Sequence, residues 1–155
     1  MDSLANGRRL KILTVVDDFT KELVLIEPAH SLTGDDVVEL LDRVSQFRGC
    51  PQALRTDQGP EFTCKAIDQW AYEHGVTLLL IQPDKPTQNA FIESFNGKFR
   101  DECLNDYWFR NLCHAQKITA AWQRDYNDHH SSVNYLTPAE FAVNQRQHSI
   151  DFLKL

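Results

Sequence analysis

Strand-type and helix-type patterns alternate along this chain, and that alternation leaves few architectures open. Asn6-Gly7 marks a tight turn, because both residues tolerate the positive φ that hairpin positions need. It joins a short N-terminal stub to a strand over residues 10–16, which Asp17-Asp18 ends, and a second short strand follows over 23–26. Thr33 with Asp36 three residues on reads as a helix cap, and Val37, Val38, Leu40, Leu41 and Val44 form the apolar stripe behind it. Gly49 and Pro51 close that helix. A strand over 53–56, a loop over 57–60 and a helix to about His74, closed by Gly75, come next. The apolar run 76–81 reads as a buried strand, and 82–86, with two prolines, as a loop. Helices are expected from Thr87 to about Cys103 and over 113–127, and Thr137-Pro138-Ala139-Glu140 is a capping box with Pro at the first helical position. A strand hairpin followed by helix-strand-helix-strand-helix argues an α/β fold, a mixed sheet flanked by helices.

Composition narrows the functional classes. A chain of 155 residues with 42% hydrophobic and 25% charged residues is an ordinary globular domain with a substantial core. No run of 18 apolar residues is present, so no membrane span is expected, and MDSLANGRRL has no apolar leader segment. Cys50, Cys64, Cys103 and Cys113 form no C-x-x-C pair and read as reduced thiols of a cytoplasmic protein. Cys113-His114 is too little for a zinc site. The net charge of −6 argues against a chain-wide basic footprint for nucleic acid, unless the cations are clustered.

Two acids stand out. Asp57 ends the 53–56 strand, and ligands of open α/β sheets gather outside that end. Its bland role is an Asx-turn into Gln58-Gly59. Glu93 shares a helix face with Asn89, Asn96, Gly97 and Arg100, while Phe91, Ile92, Phe95, Phe99 and Cys103 take the core face. A solvated amphipathic face explains part of this, but Gly97 costs about 1 kcal/mol relative to Ala inside a helix and suggests a close approach. Two carboxylates suit Mg²⁺, which takes oxygen ligands and leaves positions for water and phosphate.

Asp57 and Glu93 are separated by 35 residues. That spacing, with LTVVDDFTKE (13–22), RTDQGPEFTCKAIDQWAYEHGV (55–76), KPTQNAFIESFNGKFRDECLN (85–105) and YLTPAEFA (135–142), resembles the transposases of insertion-sequence family three and, more distantly, retroviral integrases. The resemblance spans residues 3–143, which sets an integrase-type catalytic core at 1–143 and a tail at 144–155. It implies a ribonuclease H-like fold, with Asp57 and Glu93 as second and third members of a DDE triad that binds Mg²⁺ or Mn²⁺. It implies DNA as partner and a possible homo-oligomer with neither a membrane nor a small-molecule substrate; Lys85, Lys98 and Arg100, near the Glu93 helix, either touch phosphates or decorate the surface, and Asn89 and Asn96, on the Glu93 face, are the candidates to hold the DNA backbone or a terminal base.

The family's first catalytic Asp falls, by this alignment, just ahead of Met1. Asp2, Asp17 and Asp18 are the acids that would have to replace it. Two functions therefore stay open: metal-dependent strand nicking and strand transfer at mobile-element ends, or a truncated, catalytically inactive remnant that binds DNA or a sister transposase. His130 matches a family histidine but also fits a plain loop; Trp70, Trp108, Trp122 and Tyr135 read as packing residues.

Overall fold

The computed structural model describes residues 2–18, 20–82 and 90–129. Three strands, β1 (Asp2–Ser3), β2 (Arg9–Val16) and β3 (Leu23–Ala29), form an antiparallel sheet in the order β1-β2-β3. Helix α1 (Gly34–Arg48) leads to β4 (Ala53–Thr56), helix α2 (Lys65–His74) to β5 (Thr77–Leu80), and β4 pairs with β5 in parallel. Helix α3 (Ala90–Phe99) continues into a π-helical turn over Arg100–Leu104, and α4 (Leu112–His129) ends the described part. Strand and helix content bear out the α/β expectation, with one refinement. The antiparallel and parallel pairs are two separate sheets among the described residues, not one hydrogen-bonded mixed sheet.

Alternation along β2 builds two cores. Leu13 and Val15 face α1 and α2, where they pack with Val37, Leu40, Leu41, Leu54, Phe62, Ile67 and Trp70. Val16 turns to the opposite side and joins Leu23, Ile26, Phe95, Phe99, Cys103, Trp122 and Tyr126. A period of two puts successive side chains on opposite faces, so one strand serves both layers. A third cluster, Leu4, Leu10, Phe109 and Ala115, fastens the β1–β2 hairpin to the loop before α4.

Local signals translate directly. Thr33 caps α1 with both halves of the capping box: its hydroxyl accepts from the Asp36 amide at 3.3 Å, and the Asp36 carboxylate accepts from the Thr33 amide at 2.8 Å. Gly75 closes α2 at φ 66°, in the left-handed region.

Three expectations are corrected. The Asn6-Gly7 turn holds only Gly7 at positive φ, 78°. Leu4 and Arg8 pair around a three-residue loop, and the Asn6 side chain caps the Arg8 amide at 3.0 Å. A type I turn completed by a left-handed glycine thus replaces the two-residue hairpin. The run 76–81 is buried only at Val76 and Ile81; Leu79 and Leu80 are exposed, because β5 has β4 as its one partner among the described residues. Trp70 and Trp122 are buried as expected, but Trp108 is 79% exposed. Tyr135, His130, the 137–140 capping box and the 144–155 tail lie outside the described residues.

Candidate functional site

Strand β4 delivers Asp57 to the surface. Leu54 and Thr56 are buried and anchor the strand, and Asp57, the next residue, is exposed at its carboxyl end. The Gly59 amide donates to Asp57 Oδ1 at 2.8 Å, which is the Asx-turn. Phe62 then plugs the loop into the core at 3% exposure, and its amide donates back to the Gly59 carbonyl at 2.9 Å. One carboxylate oxygen is therefore braced by the loop itself.

A side chain at 59 would crowd two carboxylates. A Cβ there would stand 3.0 Å from Asp57 Oδ1 and 3.2 Å from the Glu61 carboxyl group, tighter than side-chain contacts allow without displacement. The Asp57 and Glu61 carboxylates thus both lie close to the Cβ position of the same glycine.

Glu93 sits in the first turn of α3 and is exposed, as are Asn96, Lys98 and Arg100 further along. Phe95 and Phe99 point inward, where Phe95 meets Trp122 and Tyr126 edge-on and Phe99 lies 4.8 Å from Trp122. These aromatic contacts set the rotation of α3 and turn Glu93 outward. Glu93 has no hydrogen bond or ion pair among the described residues, and Gly97 faces open space with nothing within 4 Å of a Cβ. Among the described residues, none makes the expected close approach at Gly97. Lys85 and Asn89 lie outside the described residues.

The acids that end β2 have a different environment. Asp17 is fully buried; its Oδ2 accepts from Arg48 Nη2 at 2.9 Å and its Oδ1 from the Thr20 amide at 3.0 Å. Arg48 also reaches Glu22 at 2.8 Å, so the end of α1 clasps the β2–β3 turn. Asp18 pairs with Lys21 at 3.1 Å, and Lys21, at a strained φ of 62°, lays its ammonium 4.3 Å above the Phe91 ring. The sequence reading missed Arg48 and Lys21, since nothing local to either residue announces a partner 31 or 70 positions away.

The donor chemistry of the exposed pair, carboxylate oxygens of Asp57 and Glu93, fits a hard divalent cation. Among the described residues no group of three or more His, Cys, Asp or Glu side chains is gathered to hold a metal. All four thiols are free, and burial together with nearby Asp106 pushes the Cys103 thiol up to about 11.

Comparison with known proteins places the chain in a family. Two family models described as Integrase core domain match, one over residues 1–86 and one over 74–138. A protein of insertion element IS407 from Burkholderia multivorans is 64% identical over 94% of this chain and 53% of its own length. One from insertion element IS476 of Xanthomonas euvesicatoria is 56% identical over 94% of this chain and 42% of its own. The chain thus spans about half the length of the curated relatives it matches. Among solved structures, the HTLV-2 integrase catalytic core domain in complex with magnesium, in a trimeric form, superposes with a TM-score of 0.61 at 15% identity, covering 91% of this chain and 90% of that one. That likeness shows a ribonuclease H-like fold.

Proposed function

The chain belongs to the integrase core family of insertion-sequence transposases, a family of DNA transposition and integration, and from that premise we propose that it is the phosphoryl-transfer module of a transposition enzyme. Its substrate on this reading is the phosphodiester backbone at mobile-element ends. Asp57 and Glu93 are the carboxylates that would hold Mg²⁺ or Mn²⁺. A bound divalent ion supplies charge neutralisation at the scissile phosphate and a more acidic water.

The chain's own residues do the rest. The Gly59 amide fixes Asp57 Oδ1, so the other oxygen is presented without a competing internal partner. The aromatic packing of α3 holds Glu93 toward solvent, and Lys98 and Arg100 follow on the same exposed helix with Asn96. Cations there neutralise DNA phosphates, and the amide of Asn96, with Lys85 and Asn89 ahead of the helix, orients the strand. The observation that carries the reading is the state of these two acids: Asp57 and Glu93 are exposed and outside every ion pair of the described fold, whereas Asp17 is consumed by Arg48.

A second reading is a core that binds DNA or a sister chain without cutting. It is favoured by the engagement of both acids that end β2: Asp17 is held by Arg48 and Asp18 by Lys21. Supercoiled-plasmid nicking by the full chain, with Mg²⁺ or Mn²⁺ and beside Glu93→Gln and Asp57→Asn, separates the two. Metal-dependent nicking that either substitution abolishes supports the first. DNA mobility shift or self-association without nicking supports the second, and a chain that neither shifts nor nicks DNA and stays monomeric overturns both.

A further inference from the structure

The one exposed tryptophan stands beside a hairpin and loop that carry exposed arginines. The β1–β2 hairpin tip carries Arg8 and Arg9, and the loop before α4 carries Tyr107, Trp108 and Arg110, all exposed. The two segments are stitched side by side: the Ala5 amide donates to the Phe109 carbonyl at 2.8 Å, and Leu4 and Leu10 pack with Phe109 beneath them. None of the three arginine side chains has an ion-pair or hydrogen-bond partner among the described residues, in a chain whose net charge is −6. Asp106, the nearest acid in the loop, acts on Cys103 at the end of the α3 helix.

We infer that this corner is a second nucleic-acid contact, separate from the Asp57 and Glu93 face, that takes single-stranded DNA or an unpaired end. The argument is chemical. Three exposed guanidiniums offer multidentate contacts to phosphate oxygens. An indole 79% exposed, flanked by a tyrosine 47% exposed, offers a π-face on which a base can stack. Bases inside a duplex are already stacked, so an unstacked base is the ligand that uses both features. Burial of Phe109 at 3% keeps the platform rigid, because its neighbour cannot swing in without emptying the core. The inference rests on the reading that DNA is the partner of this chain.

Trp70 and Trp122 are buried at 3% and 8%, so quenching of the exposed fluorescence component reports on Trp108. The experiment titrates the full chain with oligothymidylate of twenty nucleotides and with a twenty-base-pair duplex, following tryptophan emission and anisotropy of the labelled DNA. Oligothymidylate is expected to quench Trp108. Trp108→Ala should lose the quench and bind about tenfold more weakly, and Trp108→Phe should keep most of the affinity. Arg8→Glu with Arg9→Glu and Arg110→Glu should flatten the dependence of log K on log salt by about 2, since each phosphate that an arginine neutralises adds roughly 0.7 to the slope. Lys98→Glu provides the contrast on α3. If it weakens DNA binding while the Trp108 and arginine variants bind as the parent does, the corner is not a contact but the DNA reading stands. No binding of either DNA overturns both. Concentration-dependent dimerisation that Trp108→Ala abolishes, with no DNA quench, assigns the corner to a protein partner and overturns the inference. The substituted side chains are surface groups, and matching urea midpoints show that each variant is folded.

Discussion

Two aspartates end two strands of this molecule, and their surroundings are opposite. Asp17, after β2, is fully buried and saturated: a guanidinium from the far end of α1 takes one oxygen and the Thr20 amide the other. Asp57, after β4, is exposed and, among the described residues, braced only by the amide of Gly59, two residues on. Nothing in their immediate sequence separates them, since each follows a short β-branched or apolar strand and opens a turn. The difference lies in Arg48. A distant cation turns one strand-end acid into part of the scaffold, and among the described residues the other has no such partner.

Removing the cation should give the largest effect. Arg48→Ala leaves a carboxylate buried without its charge partner, and breaking such a pair typically costs about 3 kcal/mol or more. Arg48 also ties Glu22, so the whole β2–β3 turn loosens. The measurement is the urea midpoint at neutral pH. A shift below about 0.5 kcal/mol, the range of an ordinary surface substitution, would show that Asp17 does not depend on Arg48 and would dissolve the contrast.

That dependence also explains what could be read from the sequence. Features set within four residues were legible: the Thr33–Asp36 box, the Gly75 stop and the 53–56 strand all appear where expected. Features set by distant neighbours were not. The burial of Asp17 needs Arg48, the exposure of Leu79 and Leu80 needs knowledge of which strands flank β5, and Trp108 is exposed because its loop is pinned at Phe109 instead. The π-helical turn at 100–104 escaped as well, since a 3.6-residue period carries no sign of the Asn105 amide bonding to the Arg100 carbonyl at 2.9 Å. The pairing of Asp57 with Glu93 as site residues came from motif resemblance and spacing, and their exposure is the part that structure adds.

Cys103 sharpens the contrast from the other side, as a buried acid with no cation. Its thiol is fully buried and pushed from 9.0 to about 11, burial being the larger cause and Asp106 the smaller. The folded state therefore favours the neutral thiol. Its stabilisation is complete below pH 9.0, falls as the pH rises toward about 11, and amounts to roughly 2 to 3 kcal/mol at the limit. Urea unfolding between pH 8 and 11 should show this decline, and Cys103→Ala should remove that part of it. A wild-type profile that is flat over the same range would mean the thiol is not held neutral by burial.

Thr33→Ala tests an acid that, like Asp57, is exposed and braced locally. The Thr33 amide and then its hydroxyl hold the Asp36 carboxyl below its ordinary value. That contribution is present above pH 3.8 and is lost as the pH falls through the lowered folded value. Loss of the Thr33 cap should cost about 1 kcal/mol at neutral pH. The difference between Thr33→Ala and wild type should narrow in acid, where protonated Asp36 no longer completes the box. A constant difference from pH 7 to pH 3 would show that only the hydroxyl matters.

Asp57→Asn should have the smallest effect on stability, and the prediction is decisive because it is small. Asparagine keeps a side-chain oxygen that can accept from the Gly59 amide, so the turn retains its 2.8 Å brace and loses only the negative charge. The site is exposed, so no buried charge is stranded, and the change should stay within about 0.5 kcal/mol. Gly59→Ala is the complement. It keeps the charge but drives a methyl group against Asp57 Oδ1 and the Glu61 carboxyl, so it should disturb the orientation of the carboxylate. Binding of Mn²⁺, read from paramagnetic broadening of the Asp57 and Gly59 resonances, should weaken in both variants while only Gly59→Ala shifts the urea midpoint. If Asp57→Asn instead destabilises the chain as severely as Arg48→Ala, its carboxylate charge belongs to the scaffold after all, and the two strand ends are alike.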